Sequence, residues 1–183
     1  MKFSKTVLEF DATDQAILDL LQENCKQPLA AIGEKVGLSA PAVLDRIHKL
    51  EEAGVICGYA ALLDARRLGM DVTAFIGVST DRPVAVRGVE TAVAAMDEVL
   101  ECHHVTGAHT LMLKVKTRNT ETLEDLIDRI RSFEGVARTE TMVVLSTHIE
   151  RMRIPLEPAE AVPARPRRSG LRSRKPASGG GEA

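Results

Sequence analysis

The sequence contains few of the residues that mark secreted, membrane or metal-binding proteins. It has no Trp, one Tyr and four Phe among 183 residues, so any core must rest on Leu, Ile, Val and Ala. Three widely spaced cysteines argue against a disulfide framework or a zinc module. No apolar run approaches the roughly 18 residues that span a bilayer. The first stretch, MKFSKTVLEFDATD, lacks the apolar run of a signal peptide, so we expect a cytoplasmic protein without a membrane partner.

Charge is distributed unevenly along the chain. Residues 1–64 contain six Lys and Arg against ten Asp and Glu, a net charge of −4, and residues 65–157 contain 12 against 14. Residues 158–183 carry six against two, a net charge of +4. Most of this tail reads AVPARPRRSGLRSRKPASGGGEA, a composition that cannot bury enough surface to offset the entropy of ordering. We therefore expect a disordered basic tail, which either stays solvated or adds contacts to phosphates.

The spacing of apolar residues changes from a helical to a strand period near residue 55. Ile17, Leu18 and Leu21 share one helix face, whereas Ala74 and Ile76 belong to an alternating run. After the change the predicted order is strand, helix, strand, strand, helix, strand, which is the ferredoxin-like βαββαβ arrangement. The pattern predicts an α+β protein. Its predicted parts are a helix-turn-helix domain (9–54), a linker strand (55–70), a C-terminal domain (71–157) and the basic tail (158–183).

The stretch GLSAPAVLDRIHKLEEAGVI, which begins at residue 37, contains a short joint followed by the second of two predicted helices. Gly37 suits a helix C-cap and Ser39 suits an N-cap, while Pro41 is tolerated in a first turn. A helix-turn-helix requires this kind of short joint containing glycine. The stretch therefore predicts two helices, at about 28–36 and 40–53.

The second helix of this pair has an apolar and a polar face. Val43, Ile47 and Leu50 form the stripe that we predict to be buried. On the other side, small residues near the helix start permit close approach to base edges, and later cations can meet phosphates. An ordinary amphipathic helix with a solvated face would look similar, and the acidic balance of residues 1–64 favours that alternative.

Several motifs, in order and at characteristic spacing, resemble the Lrp/AsnC (feast/famine) family of transcriptional regulators over about residues 9–156. They are LEFDATDQAILDLLQEN, VGLSAPAVLDRIHKLEEAGVICGYAALLDARRLG, VLECHHVTG, LMLKV, EGVARTETMVVL and the closing IPL. The resemblance implies a winged-type helix-turn-helix followed by a βαββαβ effector-sensing (RAM) domain. It implies double-stranded DNA as a partner and carries over these candidate contacts: Ser39, Pro41, Ala42, Asp45, Arg46, His48 and Lys49.

The same resemblance implies self-association and a small ligand, with no cofactor. Similar proteins pair through their sheets into dimers, often assemble into rings such as octamers, and bind effectors, usually amino acids, between C-terminal domains. The family's usual Gly-x-x-Asp turn is replaced here by Gly107 to Thr110, which removes an acceptor for an effector's ammonium group. Either the ligand differs or this turn binds none. The candidate effector-binding residues are His103, Thr106, Gly107, Ala108, His109 and Thr110.

The sequence also bears on a metal site, an enzyme and an architectural DNA-binding protein as alternatives. Cys102, His103 and His104 are metal-ligand types, but consecutive strand residues alternate between faces, so we predict no metal site. Siroheme decarboxylases resemble the same two-domain architecture, yet the sequence contains no recognisable catalytic constellation, and we predict no enzyme. The basic tail is also compatible with an architectural protein that compacts DNA. Such a protein would bind target and random DNA equally well, whereas a regulator would prefer its target.

Overall fold

The computed structural model describes residues 11–156, which form two compact units. One comprises residues 11–59 and 152–156, and the other comprises residues 60–151. The first contains three helices, α1 (Ala12–Glu23), α2 (Leu29–Val36) and α3 (Ala40–Glu52). The second contains β1 (Val72–Thr80), α4 (Val86–Ala94), β2 (Val99–His104), β3 (Leu111–Thr117), α5 (Thr120–Arg131) and β4 (Val136–Val143). Single turns of 3-10 helix at Arg66–Leu68 and Pro83–Ala85 precede β1 and α4.

A reciprocal cap starts the N-terminal unit at α1. The Asp11 carboxylate accepts a hydrogen bond from the Asp14 N–H at 2.8 Å, and the Asp14 carboxylate accepts one from the Asp11 N–H at 3.1 Å. These bonds satisfy two of the N–H groups that have no partner within a first helical turn. The three helices then pack through aliphatic side chains, each worth about 1.5–3 kcal/mol when fully buried. This core consists of Ile17, Ile32, Val43 and Ile47.

The joint between α2 and α3 depends on two glycines and a serine. Gly37 ends α2 in the left-handed region at φ 71°, and the Ser39 hydroxyl accepts a hydrogen bond from the Ala42 N–H at 3.4 Å. Gly33, inside α2, lies so close to the turn that a Cβ there would overlap the Leu38 carbonyl oxygen. The tight joint therefore requires a residue without a side chain at this helical position.

The C-terminal unit is a four-stranded antiparallel sheet in the order β2-β3-β1-β4. Strand side chains alternate between faces, and in β3 every second residue is buried. Helices α4 and α5 cover that buried face with Val and Leu side chains at helical spacing. The fully buried residues of this core include Ala74, Ile76, Val78, Val89, Val93, Leu111, Leu113, Val115, Leu126 and Ile130.

The opposite face of the sheet combines apolar and charged side chains that remain partly accessible. Phe75 and Met142 are partners in the β1–β4 register and are 37% and 45% exposed. Phe75 also lies opposite Lys114 in the β1–β3 register. We call this surface the outer sheet face.

These elements confirm the predicted fold class and element order. The helices of the N-terminal unit lie where the apolar spacing placed them, and the stripe of Val43, Ile47 and Leu50 is buried. The βαββαβ order is present, with the turn between β2 and β3 at the predicted VTGAH. Among residues 11–156 no helix is both long and apolar enough to cross a membrane.

The structure differs from the sequence prediction in the linker. Residues 55–70, predicted as a strand, contain no strand in the single chain and instead include the 3-10 turn. A strand is defined by its hydrogen-bonded neighbour, and no part of the described chain pairs with this segment. Leu62 and Leu63 within it are 78% and 72% exposed.

The predicted domain boundaries differ from the two units at both ends of the C-terminal domain. Residues 152–156 were assigned to that domain but belong to the N-terminal unit, while residues 60–70 group with the sheet. The physical reason at the C-terminal end is polar contact with α1. The Gln22 amide donates to the Ile154 carbonyl oxygen at 3.1 Å and accepts from the Ile154 N–H at 2.7 Å, and Arg153 pairs with Asp19 at 2.9 Å. The predicted disordered tail, residues 158–183, lies outside the described residues, as do residues 9 and 10 of the predicted DNA-binding domain.

Candidate nucleic-acid interface and ligand pocket

The polar side of α3 forms an accessible surface. Pro41, Asp45, His48 and Lys49 are exposed, and Ala42 is half-buried. The helix is oriented by its buried stripe, so these side chains point away from the N-terminal core. Small side chains occupy the first turn, and the cation Lys49 lies in the last turn. There its charge interacts favourably with the negative end of the helix dipole.

Ser39 and Arg46 have partners inside the unit. The Ser39 hydroxyl caps α3, as described above. The Arg46 Nη1 atom donates to both oxygens of the Asp11 carboxylate at 3.0 and 2.9 Å, and to the Asp14 Oδ1 atom at 2.7 Å. Its side chain is 31% exposed. Arg46 therefore joins α3 to the start of α1 through two carboxylates.

The pKa values around Arg46 follow from these bonds. The pKa of Asp11 is lowered, first by the hydrogen bond from the Asp14 N–H and then by the Arg46 guanidinium. The pKa of Arg46 is raised, mainly by its hydrogen bond to Asp14. Both shifts favour the charged forms of Asp11 and Arg46, and the guanidinium of Arg46 is partly neutralised by carboxylates within its own unit.

A cavity of about 460 Å³ lies at one end of the C-terminal unit. The end of β1, the start of α4, the end of β2 and the residue before β3 form its walls. Thr110 connects the residue before β3 to the end of β1. Its hydroxyl accepts a hydrogen bond from the Thr80 N–H at 3.3 Å and lies 3.3 Å from the Thr80 hydroxyl. The lining residues are Thr80, Asp81, Arg82, Pro83, Val86, Arg87, Glu90, His104 and Thr110.

Some charged side chains that line this cavity form ion pairs and others do not. Arg82 pairs with Asp81 at 3.4 Å and with Glu134 at 3.0 Å. Arg87 and Glu90, one helical turn apart on α4, take part in none of the ion pairs formed within residues 11–156. The cavity thus presents a cation and a carboxylate with free hydrogen-bonding capacity beside a histidine and a threonine.

Of the six predicted effector-binding residues, the structure places only Thr110 at this cavity. His103 pairs with Met112 in the β2–β3 register and lies on the outer sheet face. His104 pairs with Leu111 and lies on the face that the helices cover. The His103 Nε2 atom lies 3.1 Å from a Glu101 oxygen. Thr106, Gly107 and Ala108 belong to the turn between β2 and β3, where Gly107 has φ 119°.

His109 lies against Gly77 on the outer sheet face. A Cβ on Gly77 would be 2.5 Å from the His109 Cδ2 atom, so the imidazole occupies the space that only glycine leaves. The His109 Nδ1 atom is 3.5 Å from the Ser79 hydroxyl, and its Nε2 atom is 3.7 Å from a Glu140 oxygen. The side chain is 13% exposed. His109 thus belongs to the turn between β2 and β3 and packs its ring against the face of β1.

The faces of β2 also separate the side chains weighed as metal ligands. Cys102 and His104 lie on one side of the strand and His103 lies on the other. Burial and the nearby Glu90 carboxylate raise the pKa of the Cys102 thiol. Within the described part of the chain, no group of three His, Cys, Asp or Glu side chains is placed to hold a metal ion.

Comparison with known protein families assigns both units. Residues 10–51 match the AsnC-type helix-turn-helix domain, and residues 73–154 match the Lrp/AsnC ligand binding domain. The chain belongs to the Lrp/AsnC family. The matched ranges include α1 to α3 and the four strands with α4 and α5, to within one residue at the end of α3 and at the start of β1.

Relatives of known name agree with this assignment. The chain is 35% identical over 147 residues to the HTH-type transcriptional regulator FL11 of Pyrococcus horikoshii, covering 80% of this chain and 97% of that protein. The structure of AsnC from Escherichia coli is similar with a TM-score of 0.75 at 29% identity, covering 80% and 99% of the two chains. The transcriptional regulator NMB0573 of Neisseria meningitidis, solved as a complex with L-Met, has a TM-score of 0.76 at 30% identity, covering 80% and 96%.

These matches define the class of function. The protein is a transcriptional regulator of the helix-turn-helix type and not an enzyme, since the matched families and the named relatives are regulators. The prediction of the Lrp/AsnC family is confirmed, and the siroheme decarboxylase alternative is set aside. The Lrp/AsnC assignment also identifies the sheet unit as the ligand-binding part of the chain.

The pocket side chains that sequence reasoning missed include Arg87, Glu90 and His104. His104 could have been found from the strand period, because residues 102 and 104 of a strand share a face and residue 103 does not. Arg87 and Glu90 lie in an unremarkable amphipathic helix. No pattern in the sequence indicates that the start of α4 meets the end of β2.

Proposed function

We propose that the exposed face of α3 binds the major groove of double-stranded DNA. The observation that carries this proposal is the arrangement of small and cationic side chains on an accessible helix, fixed by a three-residue joint in a helix-turn-helix of the AsnC type. In this proposal Pro41, Ala42 and Asp45 approach base edges, and His48 and Lys49 approach phosphates. Ser39 shapes the start of the helix through its cap.

The test of this proposal is fluorescence anisotropy on the DNA upstream of the protein's own gene, with a shuffled duplex as competitor. The unmodified protein should prefer its target by roughly a thousandfold. Lys49→Gln should weaken binding and reduce the salt dependence by about one phosphate contact. Arg118→Gln is the matched control, since it removes one exposed cation beyond β3. Equal binding to both duplexes would contradict sequence-specific regulation and would favour an architectural role.

For the C-terminal unit we infer an effector of the amino-acid class, bound in the cavity beside α4. Two relatives in complex with L-Met support this class, NMB0573 and the feast or famine regulatory protein of Mycobacterium tuberculosis. Arg87 can hold an α-carboxylate and Glu90 can accept from an α-ammonium group, with Thr110 and His104 on the facing wall. Glu90 would then supply the carboxylate that the turn at Thr110 lacks.

Isothermal titration calorimetry with a panel of amino acids tests the effector proposal. Glu90→Gln should weaken binding of the best ligand by about 10- to 100-fold, because one charge-assisted hydrogen bond is worth roughly 1.5–3 kcal/mol. Glu121→Gln, an exposed carboxylate at the start of α5, serves as the control and should leave affinity unchanged. The proposal fails if no amino acid binds, or if both variants bind as well as the unmodified protein.

We further propose that copies of the chain associate through the outer sheet face, and that the assembly acts in the cytoplasm with the DNA it binds. The partly exposed Phe75 and Met142 support this surface, because contiguous apolar patches mark interaction sites. Phe75→Lys should lower the mass measured by light scattering after size exclusion. Val84→Lys, at a position that is 78% exposed and outside the sheet, should not. An unchanged mass in both would place the interface elsewhere.

A further inference from the structure

The cavity beside α4 is lined by more hydrogen-bond donors than acceptors. Arg87 and Glu90 take part in none of the ion pairs formed within residues 11–156, so one guanidinium and one carboxylate are available there. Arg82 adds a second guanidinium to the lining, and His104 adds an imidazole. An arginine has five N–H donors and no acceptor. The lining therefore favours a ligand that has more acceptors than donors.

Two threonine hydroxyls in the lining supply one further donor. The Thr110 Oγ1 atom accepts from the Thr80 N–H at 3.3 Å and lies 3.3 Å from the Thr80 Oγ1 atom. One of the two hydroxyl protons is used between these oxygens, so the other is available to a ligand in the cavity that both residues line.

Arg82 is paired with an exposed carboxylate that a ligand can replace. Its Nη2 atom donates to the Glu134 Oε1 atom at 3.0 Å, and its Nε atom lies 3.4 Å from the Asp81 Oδ1 atom. The Glu134 side chain is 91% exposed. Ion pairs at such positions contribute little to stability, because water solvates and screens both charges. A carboxylate of a ligand can therefore take the place of Glu134 on the guanidinium at small cost.

The backbone on both sides of Arg82 is fixed by the turn between α5 and β4. The Asp81 N–H donates to the Gly135 carbonyl oxygen at 3.0 Å. Gly135 has φ 88°, and a Cβ there would overlap the Ala85 Cβ atom. The main chain from Asp81 to Ala85 is thus held in place, so Arg82 can exchange partners by rotation of its side chain alone.

These groups match an amino acid that has a second carboxylate in its side chain. The α-carboxylate and the α-ammonium group would bind Arg87 and Glu90, in the roles already proposed for those residues. The side-chain carboxylate would bind Arg82 and accept from the available threonine hydroxyl. The cavity volume of about 460 Å³ lies within the roughly 300–1,000 Å³ of small-molecule sites.

We propose that the effector is an acidic amino acid, and that Arg82 selects it by binding its side-chain carboxylate. This inference rests on the proposed binding of an amino acid beside α4. The corresponding amide has no charge and presents an NH₂ donor beside its oxygen, so it pairs less well with a guanidinium. The residue therefore distinguishes the acid from an amide of nearly the same shape.

Isothermal titration calorimetry with matched ligands tests this selectivity. L-Glutamate or L-aspartate should bind at least about tenfold more tightly than L-glutamine, L-asparagine and L-methionine. Glutarate keeps both carboxylates and lacks the ammonium group. It should bind more weakly than L-glutamate, because the Glu90 carboxylate then has no cation to accept from.

Substitutions at the two ends of the Arg82–Glu134 pair should have opposite effects. Arg82→Gln should weaken L-glutamate at least about tenfold and change the affinity for L-glutamine by less than about threefold. Glu134→Gln should strengthen L-glutamate by up to about fivefold, since Arg82 no longer exchanges partners. Arg67→Gln is the matched control, because Arg67 also forms an exposed pair, with Asp64 at 3.3 Å, and lies outside the cavity lining. Without ligand, the melting temperatures of all three variants should stay within about 2 °C of the original, which excludes misfolding.

The outcomes separate this inference from the effector proposal on which it rests. If an amide or L-methionine binds as tightly as L-glutamate and L-aspartate, the acidic class is wrong and the amino-acid effector stands. If the preference for the acid survives Arg82→Gln, Arg82 is not the selecting residue. If glutarate matches L-glutamate, the ligand is a dicarboxylate and not an amino acid. If no amino acid binds, both proposals fail.

Discussion

Arg46 and Lys49 lie three residues apart on α3, but their surroundings give them different roles. The Lys49 side chain is exposed in the last turn of the helix. The Arg46 guanidinium donates to Asp11 and Asp14, so part of its hydrogen-bonding capacity is used within the protein. The motif alone treats both as candidate DNA contacts, because the partners of Arg46 are more than 30 positions away along the chain.

Substituting each residue should separate stability from DNA binding. Arg46→Gln should lower the melting temperature by several degrees, since it leaves two neighbouring carboxylates without their cation, and should change the salt slope of DNA binding by less than about 0.5. Lys49→Gln should leave the melting temperature within about 2 °C and reduce the slope by about 0.9. Circular dichroism melting and anisotropy at several salt concentrations measure these quantities. The opposite pattern would make Arg46 a phosphate contact.

Gly77 and His109 form a second pair whose roles depend on each other. The His109 ring lies where a Gly77 side chain would be, and glycine inside a strand commonly marks such a close approach. The sequence shows the glycine in the run AFIGVST but gives no sign of what approaches it. That information resides in the pairing of β1 with β3, which brings residues 77 and 109 together.

Gly77→Ala should destabilise the C-terminal unit by about 1–3 kcal/mol, because its Cβ displaces the packed imidazole. In a His109→Ala background the same substitution should be neutral or stabilising, since alanine suits a strand better than glycine. Urea unfolding of the four proteins in the cycle gives the coupling. An equal cost in both backgrounds would show that His109 is not what occupies the space.

At the scale of elements, the α2–α3 joint and the order of strands and helices were predictable from the sequence. Both depend on local signals, namely a glycine C-cap, a serine N-cap and the two hydrophobic periods. The linker was not, because whether residues 55–70 form a strand depends on a partner that local sequence does not contain. The pocket was not either, because it requires four elements to converge and because an irregularity between Val99 and Glu101 shifts the β2–β3 register.

Two helical glycines predict opposite responses to alanine. Gly33→Ala should destabilise the N-terminal unit by about 1–3 kcal/mol and weaken DNA binding, since the new methyl group overlaps the Leu38 carbonyl and forces α2 and α3 apart. Gly88→Ala in α4 meets nothing within 4 Å and should stabilise the protein by about 0.5–1 kcal/mol. Thermal unfolding compares the two. Stabilisation by both substitutions would mean that the joint tolerates a wider separation than its geometry indicates.

At the scale of the whole molecule, charges on the outer sheet face link stability to pH. The Lys114 ammonium lies 2.6 Å from Glu150 and 3.2 Å from Glu101. The pKa of Glu101 is lowered by His103 and Lys114, and that of Glu150 by Lys114. The pKa of Lys114 is raised, first by Glu150. All of these shifts favour the charged forms in the folded state.

The sign of each shift defines two pH windows. Lowered carboxylate pKa values give stability that is present above about pH 4.3 and is lost as the pH falls through the folded values. The raised pKa of Lys114 gives stability that is present below about pH 10.4 and is lost as the pH rises through its folded value. Lys114→Met should therefore lower the melting temperature at pH 7. It should also make the melting temperature fall less steeply towards acidic pH and towards alkaline pH. Arg118→Gln should keep the original dependence of melting temperature on pH. Hydrogen exchange of the β3 amides shows whether it is the C-terminal unit that loses stability.

The contacts of Arg153 and Ile154 with α1 set an order of events during biosynthesis. Gln22 and Ile154 are 132 residues apart, so the Gln22 side chain lacks this partner until nearly all of the described chain has been made. At about 5–20 residues per second, that delay amounts to roughly 7–26 seconds. Along the chain, the residues of the sheet unit, 60–151, lie wholly between the two segments of the first unit and are synthesised during this interval. The DNA-binding end of the nascent protein is therefore the last to be completed, although its helices are the first to be synthesised.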